Sequence, residues 1–200
     1  MKFVIEHLES ELYDWCLIEY EHISKIVGKK NLFFTNISEK MTSRKPFFRL
    51  NKLGEVHTKK FSEIASENFF HGICVLSQFA KNTLKTTDKR KFQYFVFGGI
   101  LGDNPSKKRS NFLIQRLKNS KIKFETRNLG SKQMPTDDAV YVTKMILDGK
   151  KFNEIKFFDN VEIEINENES VTLPFRYVID GNKLIISEKL VEYLRKIKKF

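Results

Sequence analysis

The 200 residues carry 36 Lys and Arg against 25 Asp and Glu, a formal net charge of +11, with 40% hydrophobic residues and 19 Phe. That apolar content supports one buried core and argues against disorder. The longest uncharged apolar run, Tyr94 to Leu101, is far shorter than the roughly 18 residues of a membrane helix, and a carboxylate already at Glu6 breaks any leader pattern, so a cytoplasmic protein is expected. The two cysteines, Cys16 and Cys74, sit among apolar neighbours without C-x-x-C spacing, so they read as buried small side chains rather than as a disulfide or a metal site.

In chain order, "KFVIEHL" (2–8) reads as a strand. Residues 11–28 follow as a helix, with Leu12, Trp15, Cys16, Ile18, Ile23, Ile26 and Val27 at helical spacing and Gly28 at its end. "NLFFTNI" (31–37) is a short strand. The stretch 38–70 has no clean period and is expected to be loop with one short helix around "KKFSEIA". "HGICVLS" (71–77) and "YFVFGGIL" (94–101) are continuous apolar runs, the pattern of strands covered on both faces, and a basic helical connector is expected between them. A helix over 109–121, a strand over 122–129 and a helix over 135–149 come next, the last opened by Pro-Thr-Asp-Asp and closed at Gly149. Alternation and the "NENE" and "DGN" turns make 155–187 a β-hairpin or meander, and 188–200 a closing basic amphipathic helix. The expected fold is therefore α/β, a mostly parallel sheet with helices on both faces, in a single domain over 1–200 with a C-terminal β addition.

The charge is localised. Residues 81–132 hold fourteen Lys and Arg against Asp88, Asp103 and Glu125, a surplus equal to that of the whole chain. Such a segment attracts polyanions, or simply keeps the protein soluble.

Ligands of parallel sheets bind beyond the carboxyl ends of the strands, which singles out 98–103 and 127–134. "GGILGD" is neither G-x-G-x-x-G nor a P-loop, so dinucleotide and nucleoside-triphosphate sites lack their defining residues. Glycines after an apolar strand let a backbone approach a flat ligand closely, or merely make a tight turn.

"FVFGGILGDNPSKKR" followed by "TRNLGSKQMPTDDAVYVTKMIL" resembles the two cofactor motifs of SPOUT-class methyltransferases. The wording is most similar to the archaeal and eukaryotic subfamily whose fungal member is a protein-arginine methyltransferase acting on a small-subunit ribosomal protein. The resemblance implies a C-terminal trefoil knot and an S-adenosylmethionine cofactor. It places Gly98, Gly99, Ile100, Leu101, Gly102 and Asp103 on one cofactor wall, and Leu129, Gly130, Gln133, Met134 and Thr136 on the other.

An RNA acceptor calls for cations against phosphate, whereas an arginine acceptor calls for carboxylates against guanidinium. Trp15 and Glu19 lie four apart on one helix face, and Glu6 stands at the end of the first strand. By the resemblance, Glu19 falls near the place where RNA-modifying members carry an arginine. Glu6 and Glu19 are thus expected to clamp the acceptor, with Trp15 as a wall and Asp103 as a further catalytic candidate. Arg109, Lys107 and Lys108 are the expected contacts to the substrate or to RNA beside it. Protein-arginine transfer, with a ribosomal or other RNA-associated protein as substrate, heads the expectations. RNA methylation by the same fold is the alternative, and a non-enzymatic RNA-binding protein the remote one; the chain is expected as monomer or homodimer.

Overall fold

Both faces of the strands are apolar because both are covered, in a computed structural model that describes residues 1–42, 45–99, 110–167 and 169–197. β1 (Lys2–His7), β2 (Leu32–Thr35), β3 (Glu55–Val56), β4 (Ile73–Leu76), β5 (Tyr94–Gly99) and β6 (Phe124–Arg127) form one sheet in the order β3-β2-β1-β5-β4-β6. Every pairing in it is parallel. Successive side chains alternate faces. Phe3, Ile5, Phe34, Cys74, Phe95 and Phe97 go to one side, beneath α1 (Asp14–Val27) and α6 (Thr136–Leu147). Val4, Phe33, Val75 and Val96 go to the other, beneath α4 (Phe61–Glu67) and α5 (Ser110–Asn119). Full burial of each such side chain contributes roughly 1.5–3 kcal/mol, so the two clusters dominate the stability of the sheet.

Two expectations change. Segment 38–70 holds three short helices rather than one: α2 (Glu39–Thr42), α3 (Lys45–Leu50) and α4. Each spans two turns or fewer, too short for a helical period to stand out. The basic connector after β4 is not helical beyond one 3₁₀ turn at Thr86–Arg90. Its backbone is committed elsewhere: Asn128 N donates to Asn82 O and Leu84 N donates to Asn128 O, with Thr83 and Asn128 making a parallel bridge. A helix would withdraw those groups into its own ladder.

The C-terminal segment is a separate antiparallel sheet, β7 (Lys156–Asn166), β8 (Glu169–Asp180) and β9 (Lys183–Leu184). Its alternation buries Val161, Ile163, Ile165, Leu173, Phe175 and Tyr177, and α7 (Glu188–Ile197) covers them with Val191 and Leu194. A bulge at Asn160, in the left-handed region at φ 59°, interrupts the β7–β8 register and leaves Asp159 opposite Arg176.

Candidate active site

β5 ends in Gly98 and Gly99 between β1 and α1, and this junction is tight. A Cβ on Gly99 would lie 2.5 Å from Ile5 Cγ2 and 2.6 Å from the Tyr20 hydroxyl, so only glycine lets the strand end there. Tyr20 of α1 is fully buried and donates to Gly99 O at 3.3 Å; its oxygen also lies 2.8 Å from Nδ1 of buried His7. Burial holds His7 down to about 4, hence neutral, and a neutral ring donating from Nδ1 completes a His7–Tyr20–Gly99 chain.

The second loop runs from β6 to α6. Asn128 organises it: its amide donates to Ala80 O at 2.8 Å, and its side-chain oxygen accepts from Gly130 N and Thr83 Oγ1, both at 3.0 Å. Gly130 adopts φ 89°, a conformation in which a side chain is strained and would also press on Phe152. Leu129 and Met134 pack on the core, and Gln133 O accepts from Arg176 N at 2.9 Å, joining the loop to β8. A second tie runs from Lys132 to Asp159, whose carboxyl the Arg176 guanidinium holds well below the usual range. The two loops meet where Thr136 Oγ1 donates to Gly98 O at 3.3 Å.

Against this meeting point stands a group of carboxylates. α6 begins after Pro135 with no side-chain cap of its own. Glu19 of α1 supplies one across the interface, accepting from Thr136 N at 2.8 Å and Asp137 N at 3.4 Å through Oε1. Its other oxygen, Oε2, is buried and, among the described residues, has no hydrogen-bond partner. Burial first, and the charge of Asp137 second, push the Glu19 carboxyl up to about 8. Asp137 pairs with His22 at 2.7 Å, and Asp138 accepts from Val178 N at 2.7 Å. Burial also holds Asp138 well above the usual carboxylate range. Trp15, one turn before Glu19, is half-buried on the core and stacks on Tyr13 with ring centroids 5.8 Å apart and planes 9° apart.

A family model described as Protein arginine N-methyltransferase SFM1-like matches residues 2–199. Protein arginine N-methyltransferase SFM1 of Saccharomyces cerevisiae is 38% identical over 205 residues, covering 98% of this chain and 95% of the yeast protein. This chain belongs to the SFM1-like family. The crystal structure of the yeast arginine methyltransferase SFM1 complexed with SAM aligns at a TM-score of 0.88 and 38% identity, over 100% of this chain and 92% of that one. A dual specific Trm10 of Thermococcus kodakaraensis, 18% identical, shares the fold alone, at a TM-score of 0.63 over 77% of this chain and 96% of its own. The SPOUT architecture expected from the paired motifs is the one these matches share.

Within this SFM1-like chain the structure brings Gly98, Gly99, Thr136 and Glu19 together and holds Leu129, Gly130, Gln133 and Met134 in the adjoining loop. Glu6 is the correction. It leaves β1 on the opposite face of the sheet from Glu19, buried, accepting from Phe61 N at 2.8 Å and Thr35 Oγ1 at 3.2 Å and paired with Arg116. Successive strand residues point to opposite faces, so His7, not Glu6, shares the side of Glu19. These two acids therefore do not form a common clamp. The basic segment is also not one outward face, because Arg116 turns to Glu6 and Arg127 is buried in a two-bond pair with Asp88 at 3.0 and 3.1 Å. Ile100, Leu101, Gly102, Asp103, Lys107, Lys108 and Arg109 lie outside the described residues. Sequence reasoning passed over Asn128, Tyr20, His22, Asp137 and Asp138. Only the paired acids of "PTDDAV" left a signal, and they read as an ordinary helix start.

Proposed function

We propose that this chain is an S-adenosylmethionine-dependent protein-arginine N-methyltransferase, acting in the cytoplasm on a ribosomal or other RNA-associated protein. The observation that carries the reading is Glu19: a buried carboxylate with one oxygen that has no partner among the described residues, where the end of β5 meets the loop before α6, both assigned to the cofactor by the family resemblance. Those loops suit such a group, since Gly99 and Gly130 leave bare backbone where a side chain would collide or strain. Gly98, Gly99, Leu129, Gly130, Gln133, Met134 and Thr136 would hold it. When bound, S-adenosylmethionine supplies the methyl group.

The protein's own part is charge and alignment. An arginine side chain carries only donors and no acceptor, so Oε2 of Glu19, an acceptor, matches it, whereas a phosphate would be repelled. Arrival of a guanidinium favours the charged form of Glu19, offsetting the desolvation that otherwise keeps it protonated. The carboxylate then orients the acceptor nitrogen and takes from it, at Oε2, the proton it must lose. Trp15 and Tyr13 stand one turn away as an aromatic wall. Asp103 as a further catalytic candidate, RNA contacts through Lys107, Lys108, Arg109 and the outward-facing cations of 81–132, and a C-terminal trefoil knot belong to the same reading.

Glu19→Gln tests it, because an amide oxygen still accepts from Thr136 N while the charge is gone. Calorimetry should show S-adenosylmethionine binding within about threefold of the unchanged protein, and tritium-methyl transfer into RNase-treated lysate protein should fall by at least about a hundredfold. Transfer that persists, or label that follows RNA instead of protein, would overturn the assignment.

A further inference from the structure

Because the pairings of the large sheet are all parallel, the amino ends of its strands share one edge, opposite the edge where Gly98 and Gly99 end β5. The six residues of β5 put about 17 Å between the two, five steps of roughly 3.3 Å. Short contacts stitch the amino edge together. Lys2 N donates to Gln93 O at 2.7 Å, Gln93 N to Gly72 O at 2.7 Å, and Lys2 Nζ to Lys30 O at 2.7 Å. Lys29 and Lys30 before β2, Lys2 in β1, and Lys121 and Lys123 before β6 therefore fall in one row. Spanning β2, β1, β5, β4 and β6, it is roughly 19 Å long at about 4.8 Å per strand. Lys29, Lys30, Lys121 and Lys123 are exposed, and among the described residues no carboxylate pairs with them. Nearby acids are engaged elsewhere: Glu67 pairs with Lys59, Glu125 pairs with Lys91 and Arg127, and Glu55 on the outer strand β3 lies 3.0 Å from His57. The row thus carries uncompensated positive charge.

An aromatic ring stands on the same edge. α4 ends here in a turn closed by Phe70 N donating to Ala65 O at 2.9 Å, and Phe69 takes the left-handed position, φ 53°, that glycine usually fills at a helix end. Such a backbone is strained for a bulky side chain. Phe70 turns inward and stacks on Tyr94 with ring centroids 4.3 Å apart, yet Phe69 is 88% exposed. Neither its strain nor its exposure helps the fold. We propose that this edge is a binding surface for single-stranded RNA, in which Lys2, Lys29, Lys30, Lys121 and Lys123 meet phosphates and Phe69 stacks on a base. A row of flexible cations follows a phosphate backbone, and an uncovered ring accepts any base, the combination by which proteins hold single strands. A duplex would meet the cations but keep its bases stacked out of reach of the ring. The surface goes beyond the proposed activity and does not depend on it. RNA seated there leaves the cofactor loops, at the other end of the strands, uncovered.

The test is fluorescence anisotropy of the full chain with a labelled uridine oligonucleotide of about twelve residues, followed from about 50 to 200 mM salt. The log–log slope of affinity against salt should be about −3.5, near −0.7 for each of the five lysines. Lys30→Gln, Lys121→Gln and Lys123→Gln combined should bring it to about −1.4. Phe69→Gly should instead weaken binding about tenfold at every salt concentration with the slope held, and Phe69→Trp should restore the affinity. Glycine also relieves the left-handed strain, so Phe69→Gly should melt no lower than the unchanged protein, with S-adenosylmethionine binding untouched. That pair of readings separates a lost contact from a lost fold. RNA affinity unmoved by both Phe69→Gly and the triple lysine variant would overturn the proposal. So would equal affinity for a duplex of the same length, or binding to phosphatidylserine vesicles with none to RNA.

Discussion

His7 and Glu19 titrate in opposite senses, and together they shape stability against pH. In the unfolded chain a histidine takes its proton near 6.5, but folded His7 resists it until about 4, so stability is lost as pH falls through that interval. Folded Glu19 keeps its proton until about 8, whereas the unfolded residue releases it near 4.5, so stability contributed by the neutral carboxyl is lost as pH rises between those values. Melting midpoints recorded from pH 4 to 9 should therefore pass through a maximum; Glu19→Gln should flatten the alkaline side and His7→Gln the acid side. Gly99→Ala tests a steric claim instead. A methyl placed against Ile5 and Tyr20 should cost about 1–3 kcal/mol and weaken S-adenosylmethionine binding, both read in one calorimetric titration series. At this scale the sequence was only partly legible. Glu19 stood out by its spacing from Trp15, while the facing of Glu6 depended on strand alternation that the same letters allowed either way round. Tyr20 looked like ordinary core, and nothing local tells that its hydroxyl meets the backbone of residue 99.

Among the elements, long apolar runs with clear punctuation were readable: β1, β4, β5, α1, α6 and the β7–β8 hairpin all lie where pattern and turn residues put them. The connector after β4 was not, because its conformation is dictated by Asn128 from a distant element rather than by its own periodicity. That dependence predicts a measurable coupling. Asn128→Ala deletes the bonds to Ala80 O, Gly130 N and Thr83 Oγ1 and leaves partly buried partners unsatisfied, an expected loss of about 1–3 kcal/mol. Hydrogen exchange should quicken in both 78–84 and 129–134, segments far apart in sequence; faster exchange in only one of them would show that Asn128 does not join them. α6 depends likewise on another helix, since its first N–H groups are capped by Glu19 of α1.

Across the whole molecule, the antiparallel sheet is more than an appendage. Arg176 N reaches Gln133 O and Val178 N reaches Asp138 Oδ1, so β8 braces both the second loop and the carboxylate group. Phe175→Ala, in the core beneath α7, should cost about 3–5 kcal/mol and also weaken S-adenosylmethionine binding, while the exposed neighbour Thr172→Ala should change neither. A stability loss with cofactor affinity intact would make the sheet and the site energetically independent.

The strand order carries a consequence for biosynthesis. β1, ahead of the sheet's other strands in the chain, occupies the middle of the large sheet, and its registered partner on one side is β5, from Lys2 against Tyr94 to His7 against Gly99. β1 is therefore made well before β5 and stays unpaired on that side until residues 94–99 have been synthesised. Contacts so distant in sequence are slow to close and leave open strand edges in the meantime. During synthesis, the segment that will become the interior of the enzyme is thus exposed early, before the strand that covers it exists.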